Sequence, residues 1–188
     1  MTRMLWDAGR LIDRHSMVWL RRLEVPLERI WTAISTPAGL SRWWTVGAIE
    51  LDLRPGGTFK HDWAGTVIDV REQAHIEIED IPLGTGGMRL GLRPDEGATL
   101  FSFLDTWGAH SIPRPACEGA PEALQPGGRG TPWAGAAADW HRMVDRLETD
   151  LTGRRFEHSR QQLVGFYGGY LADHFTWLGV ASRRRGMQ

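Results

Sequence analysis

The spacing of apolar positions changes along this chain, and each change predicts an element. Over 26–35, Leu27, Ile30, Trp31 and Ile34 stand three and four residues apart, which puts them on one face of a helix. Pro26 occupies the first helical turn, where proline is best tolerated. Thr36 and Pro37 interrupt this helix, and 38–44 forms a second short one carrying Leu40, Trp43 and Trp44, so the two make an elbow. Ahead of them, 17–25 mixes apolar residues with Arg21 and Arg22 and reads as a strand.

Beyond the elbow the period falls to two. Ile49, Leu51 and Leu53 alternate with Glu50 and Asp52, as in a strand with one buried face. Further strands are predicted at 58–63, 65–72, 75–79, 88–93 and 99–107, with turns at 55–57, 82–87 and 94–97. Parallel neighbours would need helical crossovers for which there is no room, so the strands form an antiparallel meander. The stretch 108–132, rich in Pro, Gly and Ala, has no period and is read as a long loop or flap. Helical spacing returns over 133–151, where Trp140, Val144, Leu147 and Leu151 define a buried stripe. Arg142, Asp145, Arg146, Glu148 and Asp150 are expected to form its charged back, and His141 to face outward or cap the loop. A final helix, about 157–180, carries Leu163, Phe166, Tyr167, Tyr170 and Leu171 and must pack on the domain or on a second copy, which raises a homodimer through this helix.

Strand, two short helices, six strands and a long helix is the helix-grip order: an α+β fold with a curved antiparallel sheet of about seven strands around the long helix, plus an extra C-terminal helix. The expected organisation is an N-terminal extension over 1–16, a ligand-binding domain over 17–153 that includes the loop, and a helical extension over 154–188. The segments 25–34 (VPLERIWTAI), 51–59 (LDLRPGGTF), 92–95 (LRPD) with 98–100 (ATL), and 140–147 (WHRMVDRL) resemble the START-related, Bet v 1-like superfamily. Within it, they are most similar to the branch named for the activator of the heat-shock protein 90 ATPase. Two stretches depart from that pattern: 108–132, and 74–87, which lacks the usual proline-led turn and aromatic strand. The resemblance implies a cavity between sheet and long helix.

Charge and composition narrow the function further. Lys plus Arg number 22 against 23 Asp plus Glu, so no positive field would gather nucleic acid or an anionic membrane. One cysteine, Cys117, excludes an internal disulfide and fits a reducing compartment, which makes the cytoplasm the expected location. The first residues are too charged for a signal peptide, and no apolar run approaches a membrane span. Ten tryptophans imply an aromatic-rich core or a ring-lined pocket.

Catalytic signatures are lacking. There is no serine on a glycine elbow, no phosphate loop, and no histidine pair at helical ligand spacing, so neither catalytic residues nor metal nor cofactor are assigned. Cys117 sits beside Glu118, which disfavours a thiolate. The expected ligand-binding set is Trp31, Trp44, Phe59, His61, Trp63, Phe101, Phe103, Asp105, Trp107, Trp140 and Val144. His61 shares parity with Phe59 and Trp63, and Asp105 with Phe101 and Phe103, so these two would be the polar handles of an apolar pocket. The preferred reading is non-enzymatic binding of a small apolar or aromatic molecule. The alternatives are a polyketide cyclase or dehydratase using His61 and Asp105 for acid–base chemistry, and a chaperone-interaction module docking through the sheet surface.

Overall fold

The computed structural model describes residues 8–13, 16–44, 48–61, 64–79, 86–107, 132–156 and 158–185, with the backbone alone at 107, 132–133 and 174–185. The expected α+β meander is present, with one strand more than predicted. Eight strands run β1 (Arg10–Asp13), β2 (Ser16–Leu23), β3 (Glu50–Leu51), β4 (Thr58–Lys60), β5 (Ala64–Arg71), β6 (His75–Glu79), β7 (Gly86–Asp95) and β8 (Ala98–Trp107). Among the described residues there are four helices: α1 (Leu27–Ser35), α2 (Pro37–Trp43), α3 (Pro132–Thr152) and α4 (Arg160–Arg185). The sheet is antiparallel in the order β1-β2-β8-β7-β6-β5-β4-β3. The added strand, β1, lies in the stretch expected to be an extension and pairs Arg10 with Val18 and Leu11 with Met17. Residues 62–63 and the predicted loop lie outside the described residues.

The chain divides into two compact units, Met1–Ser111 with Met143–Phe156, and Ile112–Arg142 with Glu157–Gln188. The first contains the whole sheet, α1, α2 and residues 143–152 of α3; the second contains 132–142 of α3 and all of α4.

Local chemistry accounts for the elements of the first unit. The elbow is tight because the Thr36 hydroxyl accepts the Gly39 amide at 3.0 Å and Pro37 starts α2. Gly39 is required there: a Cβ would strike the Thr32 carbonyl and the Ala33 Cα. The long hairpin β7–β8 turns on Glu96 and Gly97, both with positive φ (41° and 83°), a two-residue turn whose twist matches its strands. The reading of 94–97 as turn is thereby corrected, since Pro94 and Asp95 remain in β7, paired with Thr99 and Ala98. In β5 a register shift between Val67 and Asp69 turns both Ile68 and Asp69 to solvent.

Candidate functional site

The pairing register fixes which side chains share the inner face of the sheet. Across β2, β8 and β7, Met17 aligns with Asp105 and Met88, Trp19 with Phe103 and Leu90, and Arg21 with Phe101 and Leu92. Cross-strand partners point to one face, so Asp105 does lie on the face of Phe101 and Phe103, as their parity requires. Ile76, Ile78, Val67 and Phe59 continue this face across β6, β5 and β4. Rings dominate it. Trp19 and Phe103 are 5.6 Å apart between centroids, Trp44 meets Phe59 edge-on at 5.6 Å, and Trp43 meets Trp44 at 5.2 Å. The Trp43 indole N–H donates to the Ala33 carbonyl at 2.9 Å, which satisfies its one buried donor.

The predicted residues divide by exposure. Phe101 is 0% exposed, Phe59, Phe103 and Val144 are 1% and Trp44 is 2%, so these side chains are packed against protein. Trp31, His61 and Asp105 are half-buried. On α1 the buried face is Ile30, Ala33, Ile34 and Ser35, so Trp31 lies at its margin. His61 follows the end of β4, four strand spacings from β8, or about 19 Å along the sheet surface. Trp63 and the side chain of Trp107 lie outside the described residues. Trp140 is half-buried and belongs to the second unit.

Sequence reasoning missed the most polar part of the inner face. Arg21 is 3% exposed; its Nη2 lies 2.8 Å from Asp145 Oδ1 and its Nε 3.2 Å from Glu148 Oε2, on α3. Arg154 binds Glu148 Oε1 at 2.8 Å. The expected charged back of α3 is therefore corrected: Asp145 and Glu148 are buried beside Val144, Leu147 and Leu151, because an inward-facing guanidinium on β2 needs carboxylates within reach. Two signals were available. Arg21 falls at the inward parity of Met17, Trp19 and Leu23, and Asp145 and Glu148 stand three apart on one helix face. Weaker links hold the same half of α3 to α2, from Arg42 Nε to Asp150 Oδ2 at 3.3 Å and from Arg146 Nη1 to the Trp44 carbonyl at 3.3 Å.

His141 is also corrected. It is 1% exposed within the second unit, and its Nδ1 lies 2.8 Å from the hydroxyl of fully buried Tyr167. The His158 ring stands 6.4 Å from it, and Arg160 grips Asp139 with two bonds of 2.7 and 2.8 Å. Aromatic residues at helical spacing in the last predicted helix signalled a packed face, but not which polar group it would meet.

Described residues of the first unit line a pair of depressions, among others. One, of about 610 Å³, lies where β2 leads into α1 beside the end of α3. The other, of about 330 Å³, lies on the β5–β8 part of the sheet beside Ile68, Arg89, Leu104 and Thr106. Among the described residues there is no group of three side chains suited to a metal ion, and no helix is long and apolar enough to cross a membrane.

This architecture, a meander gripping a long helix with an elbow after the second strand, defines a class of small helix-grip domains. Residues 24–152 match the family described as Activator of Hsp90 ATPase homolog 1-like protein, and the chain belongs to that family. The fold is similar to that of EF2215 from Enterococcus faecalis (TM-score 0.65, 16% identity, 92% of this chain and 94% of that one). It is also similar to CalU16 from Micromonospora echinospora (TM-score 0.59, 16% identity, covering 89% and 93%). A third similar structure is the Aha1 dimer from Colwellia psychrerythraea (TM-score 0.56, 16% identity, covering 74% and 98%). No curated protein matches the sequence.

Proposed function

We propose that the first unit binds a small apolar or aromatic molecule between the inner sheet face and residues 143–152 of α3, without chemical turnover. The observation that carries this reading is the inner face itself: rings line it in two groups, Trp19 with Phe103 on β2 and β8 and Trp44 with Phe59 between the end of α2 and β4, and Asp105 stands half-buried on the face of Phe101 and Phe103 as a polar handle. The rings pack on one another, so a ligand enters by exchanging ring–ring contacts for ring–ligand contacts, and apparent affinity falls with the population of the opened state. The enzymatic alternative asks His61 and Asp105 to act together. Their separation by four strand spacings favours binding over a shared proton-transfer step.

The test is native mass spectrometry of freshly purified protein, followed by titration with an apolar fluorescent probe while tryptophan emission is recorded. Binding with a Kd of about 1–100 µM, reported as quenching with a raised melting temperature, is expected. Asp105→Ala should weaken a hydroxylated probe by about tenfold, one hydrogen bond, and leave its unhydroxylated twin unchanged. If chemically different probes and a metabolite library all leave emission and melting unchanged, the reading fails. Conversion of a bound molecule to a new mass, abolished in both His61→Leu and Asp105→Ala, would establish the enzyme instead.

The family's name also suggests a chaperone-docking role, which the exposed Leu20 and Ile68 (44% each) on the strands would serve. We take the compartment to be the cytoplasm, and α4 to be the element through which two copies would associate; the similar Aha1 of Colwellia psychrerythraea is a dimer.

A further inference from the structure

The 610 Å³ depression lies at the other end of β2 from Asp105. Its rim comes from the β2–α1 connection and from α3 with the residues after it. Asp105 pairs with Met17, whereas the depression is lined by Leu23 and Val25, at least six residues further along and thus about 20 Å away. We propose that this depression is a binding site for a small organic carboxylate, separate from the aromatic face.

Arg22, Arg29 and Arg154 line the depression together with Glu24 and Glu148. Counting donors and acceptors decides the sign of the ligand. Both Glu148 oxygens are already engaged, Oε2 by Arg21 at 3.2 Å and Oε1 by Arg154 at 2.8 Å. Glu24 faces water, 3.8 Å from Arg22, and offers only a loose contact to a cation. Each guanidinium has five N–H groups in a planar fork. Arg22 commits Nε to Asp95 Oδ2 at 2.8 Å and Nη2 to the Asp95 carbonyl at 3.4 Å, with Nη1 3.8 Å from Glu24, whereas exposed Arg29 has no ion-pair partner among the described residues. The spare donors are therefore those of Arg29, and the loosely held carboxylate of Glu24 is turned to water. A planar carboxylate matches the guanidinium fork, which can grip both its oxygens.

The remaining lining states what the rest of the ligand is like. Leu23, Val25 and Leu151 are buried apolar residues that border the same space. A volume of about 610 Å³ lies within the ordinary range for small-molecule sites, roughly 300–1,000 Å³, and exceeds what a lone inorganic anion fills. The fitting class is a small organic molecule ending in one carboxylate, with the carboxylate toward Arg29.

The experiment titrates full-length protein with benzoate and, in parallel, with its neutral twin benzyl alcohol, following backbone amides by two-dimensional NMR. Benzoate is expected to shift amides of 22–29 and 148–154 with a Kd of about 0.1–10 mM. Raising ionic strength should weaken it, since exposed charges are screened over about 10 Å at 0.1 M salt. Benzyl alcohol should leave those amides in place. Arg29→Gln, an exposed substitution, should cost at least about tenfold in benzoate affinity while the melting temperature stays the same, and Arg29→Lys should recover only part of it. Equal shifts from the neutral twin, an unchanged affinity in Arg29→Gln, or no shift at about 20 mM benzoate would each overturn the proposal. Shifts confined to the amides of 101–105 would assign benzoate to the aromatic face and also overturn it.

Discussion

Replacing Arg21 by methionine tests what holds the long helix on the sheet. Methionine keeps the length of the side chain and removes its charge, so the inner face stays filled while Asp145 and Glu148 lose a shared partner. Their side chains are 7% and 6% exposed, too little for water to replace the guanidinium. Removing one member of a buried pair costs about 3–5 kcal/mol, because the other charge is left uncompensated. Glu148 keeps Arg154 at 2.8 Å, which puts the expected loss near the lower end of that range. For a chain of this size a 3 kcal/mol loss lowers the melting temperature by roughly 6–12 °C. Urea unfolding followed by tryptophan emission gives the free energy directly. The informative comparison is Arg21→Met alone against Arg21→Met with Asp145→Leu and Glu148→Gln. Once the stranded charges are gone, the triple variant should recover most of the loss. Arg21→Lys should fall between wild type and Arg21→Met, since one ammonium cannot reproduce two contacts made through Nη2 and Nε. A loss below about 1 kcal/mol, the size of a surface pair, or a triple variant weaker than the single one, would refute the argument.

Much of the fold was legible because local chemistry and periodicity agreed. The elbow could be read from Thr36-Pro37, β8 from its run of apolar and β-branched residues after the Glu96-Gly97 turn, and the helical half of α3 from Val144, Leu147 and Leu151. The parity argument that placed Asp105 with Phe101 and Phe103 survives because β8 has no bulge and pairs in register on both sides. Where the pattern failed, the reason is physical. A four-residue edge strand with the sequence RLID has too few residues to declare a period, so β1 was invisible. Charged residues at buried positions defeat any rule that equates polar with exposed, and Arg21 meets Asp145 and Glu148 through pairing across 124 residues or more. His141 misled for the same reason, since its partner, Tyr167, lies 26 residues away. Of the candidate site, sequence identified the aromatic composition but not its packing: alternation tells which face a ring takes, whereas whether space remains beside it depends on the volumes of every neighbour.

The second unit and the sheet edge each carry a further prediction. Tyr167→Phe removes the hydroxyl that meets His141 Nδ1 at 2.8 Å, a buried hydrogen bond, so chemical denaturation should show a loss of about 0.5–1.5 kcal/mol; Tyr167→Phe combined with His141→Phe should lose less than the two single changes added together. At the sheet surface the Asp69 carboxyl is held below its ordinary pKa, first by the hydrogen bond from His75 at 2.7 Å, then by the His75 charge, the Val70 amide and Arg89, with desolvation opposing them. A carboxylate depressed in the folded state contributes stability above its unfolded pKa and loses it as pH falls through the lower folded value. The contribution is therefore intact from neutrality down to about pH 5 and disappears only on the acid side of the ordinary carboxylate range. Carbon-detected NMR should find the Asp69 midpoint below that of a solvent-exposed aspartate, and His75→Phe should raise it, because both the largest and the next lowering influence belong to His75. Arg89 and the Val70 amide remain in the variant, so the midpoint should stop short of the unperturbed value. A midpoint that does not move in His75→Phe would mean that the 2.7 Å contact does not persist in solution and that the other groups hold the carboxyl alone.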